Sequence, residues 1–149
     1  KVSRCKNDTR AIAVALEAYR TDNQKYPHRS DNDFAMRRLN MLSSPISYIT
    51  SVPRDPFGGS RGIDEFNYAW HQDAYFFDTW DKPTTWWPFG TNASRTYAEA
   101  YKRGCLWFLA GRGPDRKISA YNDLGPLKET TYDPTNGTVS FGDIERFGP

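Results

Sequence analysis

The chain has 149 residues, of which 38% are hydrophobic, and this length and composition fit one domain with one core. The formal net charge of +2 is too small to suggest a nucleic-acid-binding protein. No run of residues in the sequence approaches the ~20 apolar residues that are needed to span a bilayer.

The first predicted element is a helix over residues 3–22. Ile12, Leu16 and Tyr19 recur at the helical period and form one apolar face, and four alanines in the same stretch favour a helix. The helix is expected to end near Tyr26, because a residue that precedes proline is pushed out of helical geometry. Residues 1–30 carry seven basic and three acidic residues, a local net charge of +4.

The next segments alternate between a helix and irregular chain. A second helix is predicted over residues 32–43, with Asn32 or Asp33 as its cap. Residues 47–52 are expected to be extended, and residues 53–59 form a turn-rich loop. The apolar side of the second helix would consist of Phe34, Met36, Leu39 and Leu42.

Three later stretches have the composition of strands, residues 66–70, 105–109 and 138–141. An aromatic-rich insertion, residues 75–97, separates the first two, and residues 111–137 are rich in glycine and proline, as loops are. A helix followed by strands and irregular segments predicts the α+β class, with a long N-terminal helix packed on a small antiparallel sheet and long irregular loops.

Four segments of the sequence resemble the type IV pilin-like family, and in particular the pseudopilins of type II secretion systems. They are DTRAIAVALEAYRTDNQKYP at residues 8–27, YITSVPRDPFG at 48–58, LAGRGPD at 109–115 and YDPTNGTVSFGDI at 132–144. The four occur in the order that the family shows. The chain departs from the family in lacking the apolar first half of the helix, in the aromatic insertion and in the length of the segment from residue 115 to 143.

The resemblance implies a single pilin-like domain, residues 1–149. Residues 1–27 would be the second half of the long first helix with its exit, and residues 28–149 the head. The implied function is that of a structural subunit of a secretion pseudopilus or of a related type IV pilus-like filament for adhesion or DNA uptake, and not that of an enzyme.

The same resemblance implies partners and a location. The partners would be other pilin or pseudopilin subunits and secretion-machinery proteins, with no nucleic acid. A missing N-terminal apolar helix would hold the precursor in the inner membrane. The domain would then lie in the cell envelope on the periplasmic side, or in an extracellular filament.

A calcium site is also implied by the resemblance. In the family, aspartates of the acidic loop bind Ca²⁺, and the matching residues here are Asp115 and Asp143. Asp133, Asn136 and the carbonyl of Arg112 could complete a shell of oxygen ligands. The alternative is that these aspartates and the asparagine cap turns through their own side chains.

Two cysteines, Cys5 and Cys105, allow one disulfide in an oxidising compartment. Cys5 lies near the start of the predicted helix, and Cys105 begins the strand that is expected to cross it. Two separate thiols are the alternative.

The aromatic insertion contains the adjacent pair Trp86 and Trp87. These rings either cover the sheet or form an exposed platform that binds sugars or a partner. The second reading gives an alternative function, a carbohydrate- or partner-binding module. The two histidines, His28 and His71, have no spacing suited to a zinc site, and no catalytic signature surrounds them.

Overall fold

A computed structural model describes residues 1–27, 35–58, 74–79, 102–116, 132–135 and 142–149. The described elements, in chain order, are helix α1 (Val2–Asn23), a 3₁₀ helix (Ala35–Leu42) and strands β1 (Phe76–Thr79), β2 (Trp107–Gly111) and β3 (Ile144–Gly148). One N-terminal helix and a small antiparallel sheet confirm the α+β class.

Helix α1 confirms the predicted helix within one residue at each end. Ile12 and Leu16 are fully buried and Tyr19 is nearly so, as expected for residues on one face of a 3.6-residue period. The helix ends before Tyr26, because Gln24 adopts a left-handed conformation with φ 57° and its N–H bonds to the Arg20 carbonyl at 2.8 Å. Among the described residues, no helix has the length and the apolar character that crossing a membrane requires.

The sheet has β2 in its centre, with β1 and β3 antiparallel on either side. Leu109 lies opposite Phe77 of β1 and Arg146 of β3. At the other end of β2, Trp107 lies opposite Gly148. A Cβ atom at Gly148 would come within 2.0 Å of the Trp107 ring, so this glycine leaves room for the indole.

Both faces of β2 are covered along its length. Because successive side chains of a strand point to opposite faces, Trp107 and Leu109 share the face that packs with α1 in the main core. Phe108 lies on the opposite face. Its ring centroid is 6.1 Å from that of Phe76 and 5.0 Å from that of Phe147. These three rings form an aromatic row across the sheet.

Several sequence predictions about the strands were wrong. Strand β2 begins two residues later than predicted, and β1 lies inside residues 75–97, which the sequence predicts to be an insertion. No sequence pattern predicts strand β3. Within residues 47–52, which are predicted to be extended, residues 48–51 form bends, because the main-chain N–H groups of Tyr48 and Ile49 both bond to the Leu42 carbonyl and not to a neighbouring strand. The predicted strands at 66–70 and 138–141 lie outside the described residues.

The second predicted helix is a 3₁₀ helix in its described part, Ala35–Leu42. Two of the side chains predicted to be buried, Leu39 and Leu42, are buried to 1% and 0% exposure. The caps proposed at Asn32 and Asp33 lie outside the described residues, as does Phe34.

Candidate functional site

A buried carboxylate, Asp55, connects three segments of the chain near the start of α1. It is 3% exposed and accepts hydrogen bonds from the main-chain N–H groups of Phe57 at 2.9 Å and Arg112 at 2.6 Å. The Arg112 guanidinium lies 4.0 Å from the same carboxylate and donates to the Ala74 carbonyl at 3.4 Å. Asp55 thereby fixes the loop around it to the end of β2, and Arg112 extends the connection to the residues before β1.

The pKa of Asp55 is shifted in two opposite directions by its surroundings. Burial raises the pKa of its carboxyl above the ordinary value, and the N–H groups of Phe57 and Arg112 together with the guanidinium partly counter this effect. Burial dominates because three donors do not replace the full hydration shell of a carboxylate.

A second group of polar side chains lies beside this one, on α1. The Tyr75 hydroxyl donates a hydrogen bond to the Asp8 carboxylate at 2.9 Å, and Arg4 lies 3.7 Å from the same oxygen. Cys5 and Tyr75 are fully buried, and a Cβ atom at Gly111 would lie 2.5 Å from the Cys5 sulfur. We call the five side chains that form these two groups the entry cluster, consisting of Cys5, Asp8, Asp55, Tyr75 and Arg112.

The position of Cys5 contradicts the predicted disulfide. Cys5 and Cys105 are separate thiols, and Cys5 packs against Gly111 at the end of β2 that is farther from Cys105. The four steps from Trp107 to Gly111 span ~13 Å at the rise of a strand, and Cys105 precedes Trp107 by two more residues. A disulfide requires Cα atoms within ~7 Å, so the pairing fails because α1 meets the wrong end of the strand.

We therefore expect the two thiols to differ in reactivity. Burial, helped by the charge of Asp55, raises the pKa of the Cys5 thiol to about 12, and the thiolate is the reactive form. At about pH 8, Ellman's reagent should titrate Cys105 in the folded chain and reach Cys5 only on unfolding in guanidinium chloride. A Cys105→Ser variant, which retains Cys5 alone, is the control and should show no fast phase. Rapid labelling of Cys5 in that variant would contradict its burial.

The residues proposed to hold calcium occupy different environments. Asp133 is exposed, and its carboxylate caps a turn by accepting from the main-chain N–H of Thr135 at 2.8 Å and from the Thr135 hydroxyl at 2.7 Å. These bonds lower its pKa. Asp143 is fully buried, and Asp115 is half-buried.

The chain segments that carry Asp115 and Asp143 do approach each other. A Cβ atom at Gly113 would lie 1.9 Å from the Gly142 carbonyl, so the turn after β2 packs directly against the residues before β3. Within the described part of the chain, however, no three His, Cys, Asp or Glu side chains gather into a metal-binding group. Asn136 lies outside the described residues. Calcium binding therefore stays a prediction.

The aromatic pair Trp86 and Trp87 also lies outside the described residues. The sugar- or partner-binding platform that was predicted from it stays a prediction for that reason.

Sequence reasoning missed a second polar connection, which is centred on Glu17. Its carboxylate accepts hydrogen bonds from the indole N–H of Trp107 at 2.9 Å and lies 3.0 Å from the buried Tyr26 hydroxyl. The same hydroxyl lies 2.6 Å from the Pro149 carbonyl. Glu17 thereby connects the helix to the chain that leaves it and to β2, at the opposite end of β2 from Asp55.

The sequence contained a local signal for Asp55 but none for its distant partner. An aspartate between Pro53 and Pro56 favours a turn capped by its own side chain, and the bond to Phe57 has this form. The bond to Arg112 spans 57 positions. Only the packing of α1 on the sheet brings these segments together.

In the middle of α1, between residues 11 and 18, the face opposite the core is exposed and formed by small side chains. Val14, at 72% exposure, is its largest apolar member. Ala11 and Ala18 flank it and are also exposed. Helix α1 therefore has two different sides, one packed on the sheet and the other exposed.

No family model, curated protein or solved structure matches the chain. The likeness to pilin-like proteins therefore rests on the four sequence motifs. Of these, the motifs at 8–27, 48–58 and 109–115 are described throughout, and the Asp55 bond to Arg112 joins the last two. Two segments that carry the resemblance thus form one structural unit.

Proposed function

We propose that the chain is the head domain of a structural subunit of a type II secretion pseudopilus or of a related type IV pilus-like filament. The observation that carries the proposal is the two-sided helix α1. Its Ile12 and Leu16 side is buried in the head, and its Val14 side is exposed. A subunit that assembles through its helix needs one face for its own head and another for its neighbours.

The joined motifs supply the second support. In a filament subunit, the head must keep its shape while the helix is pulled and packed by neighbours. The entry cluster fixes the loop at Asp55 and the end of β2 to each other and to the first turns of α1 through Cys5 and Tyr75. This arrangement suits a domain that transmits force and requires no chemical step.

The partners in this proposal are other subunits of the same filament and the secretion machinery. The exposed Val14 face would pack against the helix of a neighbouring subunit, where small side chains allow close approach. The subunit would be inserted in the inner membrane before assembly, with its head in the periplasm.

Substitution of Val14 by arginine tests the proposal. In cells that express the full-length gene, Val14→Arg should reduce the filaments recovered by shearing by about tenfold or more, because a charge buried between two helices costs several kcal/mol. The melting temperature of the 149-residue chain should not change, since the site is exposed. Filament yield is measured by electron microscopy and immunoblotting.

A matched variant makes this result specific. Thr50 is exposed and lies outside α1, so Thr50→Arg adds the same charge away from the helix and should assemble normally. The proposed function would be wrong if Val14→Arg gave a normal filament yield. It would also be wrong if deletion of the gene changed neither secretion nor the amount of filament.

A further inference from the structure

Three segments of the chain come together at the end of the domain at which α1 begins. The Lys1 ammonium lies 5.9 Å from the centre of the Phe57 ring, which brings the loop at residues 52–58 to the start of the helix. Asp55 binds the N–H of Arg112 and so adds the turn at residues 112–116. We call the surface of residues 1–10, 52–58 and 112–116 the basic end.

In the basic end, the acidic and the basic side chains differ in their exposure to solvent. The three acidic residues, Asp8, Asp55 and Asp115, are all buried or half-buried. The segments carry seven basic and three acidic residues, a net charge of +4, although the whole chain has a net charge of only +2. The charged residues that are exposed are all basic, namely Lys1, Arg4, Lys6, Arg10, Arg54 and Arg116.

This arrangement is unfavourable for the isolated domain. The exposed cations of the basic end repel one another, and the three acidic residues among them are buried or half-buried. Arg4 has Asp8 at 3.7 Å, but its side chain is 67% exposed, and such surface pairs contribute little. An anionic partner would relieve the mutual repulsion of these cations.

We propose that the basic end binds the anionic phospholipid headgroups of the membrane. The proposal rests on the proposed function, in which an apolar helix upstream of α1 crosses the bilayer. The first turns of α1 are then the part of the head that lies nearest to the headgroups. The binding groups are the side-chain cations of Lys1, Arg4, Lys6 and Arg10, whose attraction extends over a Debye length of ~8 Å at physiological salt.

This contact holds the head on the membrane surface before assembly and is broken when the subunit moves into the filament. A cation close to an anionic membrane strengthens binding by about fivefold. Three such residues together therefore give an effect of roughly 100-fold, which a binding assay can resolve.

The test is sedimentation of the 149-residue chain with vesicles. We expect binding to vesicles of equal parts phosphatidylglycerol and phosphatidylcholine at ~50 mM NaCl, and its loss at ~500 mM NaCl or with phosphatidylcholine alone. The triple variant Arg4→Gln, Lys6→Gln, Arg10→Gln should bind roughly 100-fold more weakly. Its circular dichroism spectrum and melting temperature are compared with those of the parent to show that it is folded.

The control removes three other exposed cations, in the triple variant Lys25→Gln, Lys102→Gln, Arg103→Gln. It has the same net charge as the first variant but retains the basic end, so its binding should stay within about fivefold of the parent. Equal losses of vesicle binding in the two variants would show that binding depends only on the overall charge of the chain, and would overturn the proposal. So would binding of duplex DNA at the same salt with equal affinity, which would make the basic end a nucleic-acid surface.

The vesicle assay measures membrane binding of the isolated chain and contains no filament, so its result does not depend on whether the proposed function is correct. If the chain did not bind vesicles but assembled normally in cells, only the proposal that the basic end binds the membrane would be wrong. Failure of the filament function would appear instead in the Val14→Arg experiment.

Discussion

Substitution of Leu16 by aspartate is expected to unfold the domain. Leu16 is fully buried between α1 and the sheet. Removing a buried leucine side chain costs ~2–5 kcal/mol, and an unpaired carboxylate in its place adds several kcal/mol. The total is comparable to the ~5–15 kcal/mol that stabilises a typical domain. Loss of the cooperative melting transition, followed by circular dichroism, is the expected result.

Val14→Asp is the matched control for this experiment. It places the same carboxylate in the same helix two residues away, at a site that is 72% exposed. Helix propensity differs little between valine and aspartate, so Val14→Asp should melt close to the parent. If Leu16→Asp melted like the parent, or Val14→Asp unfolded the domain, the buried face of α1 would be assigned wrongly.

The second large effect is expected from Asp55→Ala. Removal of the carboxylate leaves the N–H groups of Phe57 and Arg112 without their acceptor and the nearly buried Arg112 guanidinium without its counter-charge. Each unsatisfied buried donor costs ~1–3 kcal/mol, and breaking a buried charge pair costs ~3–5 kcal/mol. We expect a loss of ~3–5 kcal/mol in the free energy of unfolding, measured by urea titration.

Asp133→Ala is a control of the same chemical kind. Asp133 also accepts a hydrogen bond from the N–H two residues ahead, as Asp55 does, but it is exposed. Water can replace its carboxylate at that N–H group, so the loss of stability should be much smaller. The comparison isolates the contribution of burial.

The pH dependence should have opposite signs at the two sites. Burial raises the pKa of Asp55, so its contribution to stability is full below the unfolded-state value of 3.8 and decreases as the pH rises through the folded-state pKa. The bonds from Thr135 lower the pKa of Asp133. Its contribution is present above 3.8 and is lost as the pH falls through the folded-state pKa.

Unfolding free energies of the parent and both variants, measured across this pH range, check these signs. The advantage of the parent over Asp55→Ala should shrink as the pH rises, and its advantage over Asp133→Ala should grow. An equal loss in both variants at neutral pH would show that Asp55 is not a buried connection.

The sequence by itself determined helix α1, its buried face and the α+β class. The helical period of Ile12, Leu16 and Tyr19 is a local property of about two turns, and no distant contact is needed to detect it. For the same reason the sequence predicted the burial of Leu39 and Leu42, although their segment forms a 3₁₀ helix. It also located the core of β2, which is a short run of apolar residues.

The tertiary structure decided what depended on pairing between distant segments. Strand β3 contains Glu145 and Arg146 and has little strand character of its own, so its place follows from the register with β2. The direction in which β2 crosses α1 placed Cys5 beside Gly111 and separated it from Cys105, which no sequence spacing reveals. The same crossing brought Asp55 to Arg112. Local propensity extends over a few residues, whereas these contacts exist only once the helix has packed on the sheet, and this is why the entry cluster emerged from the fold alone.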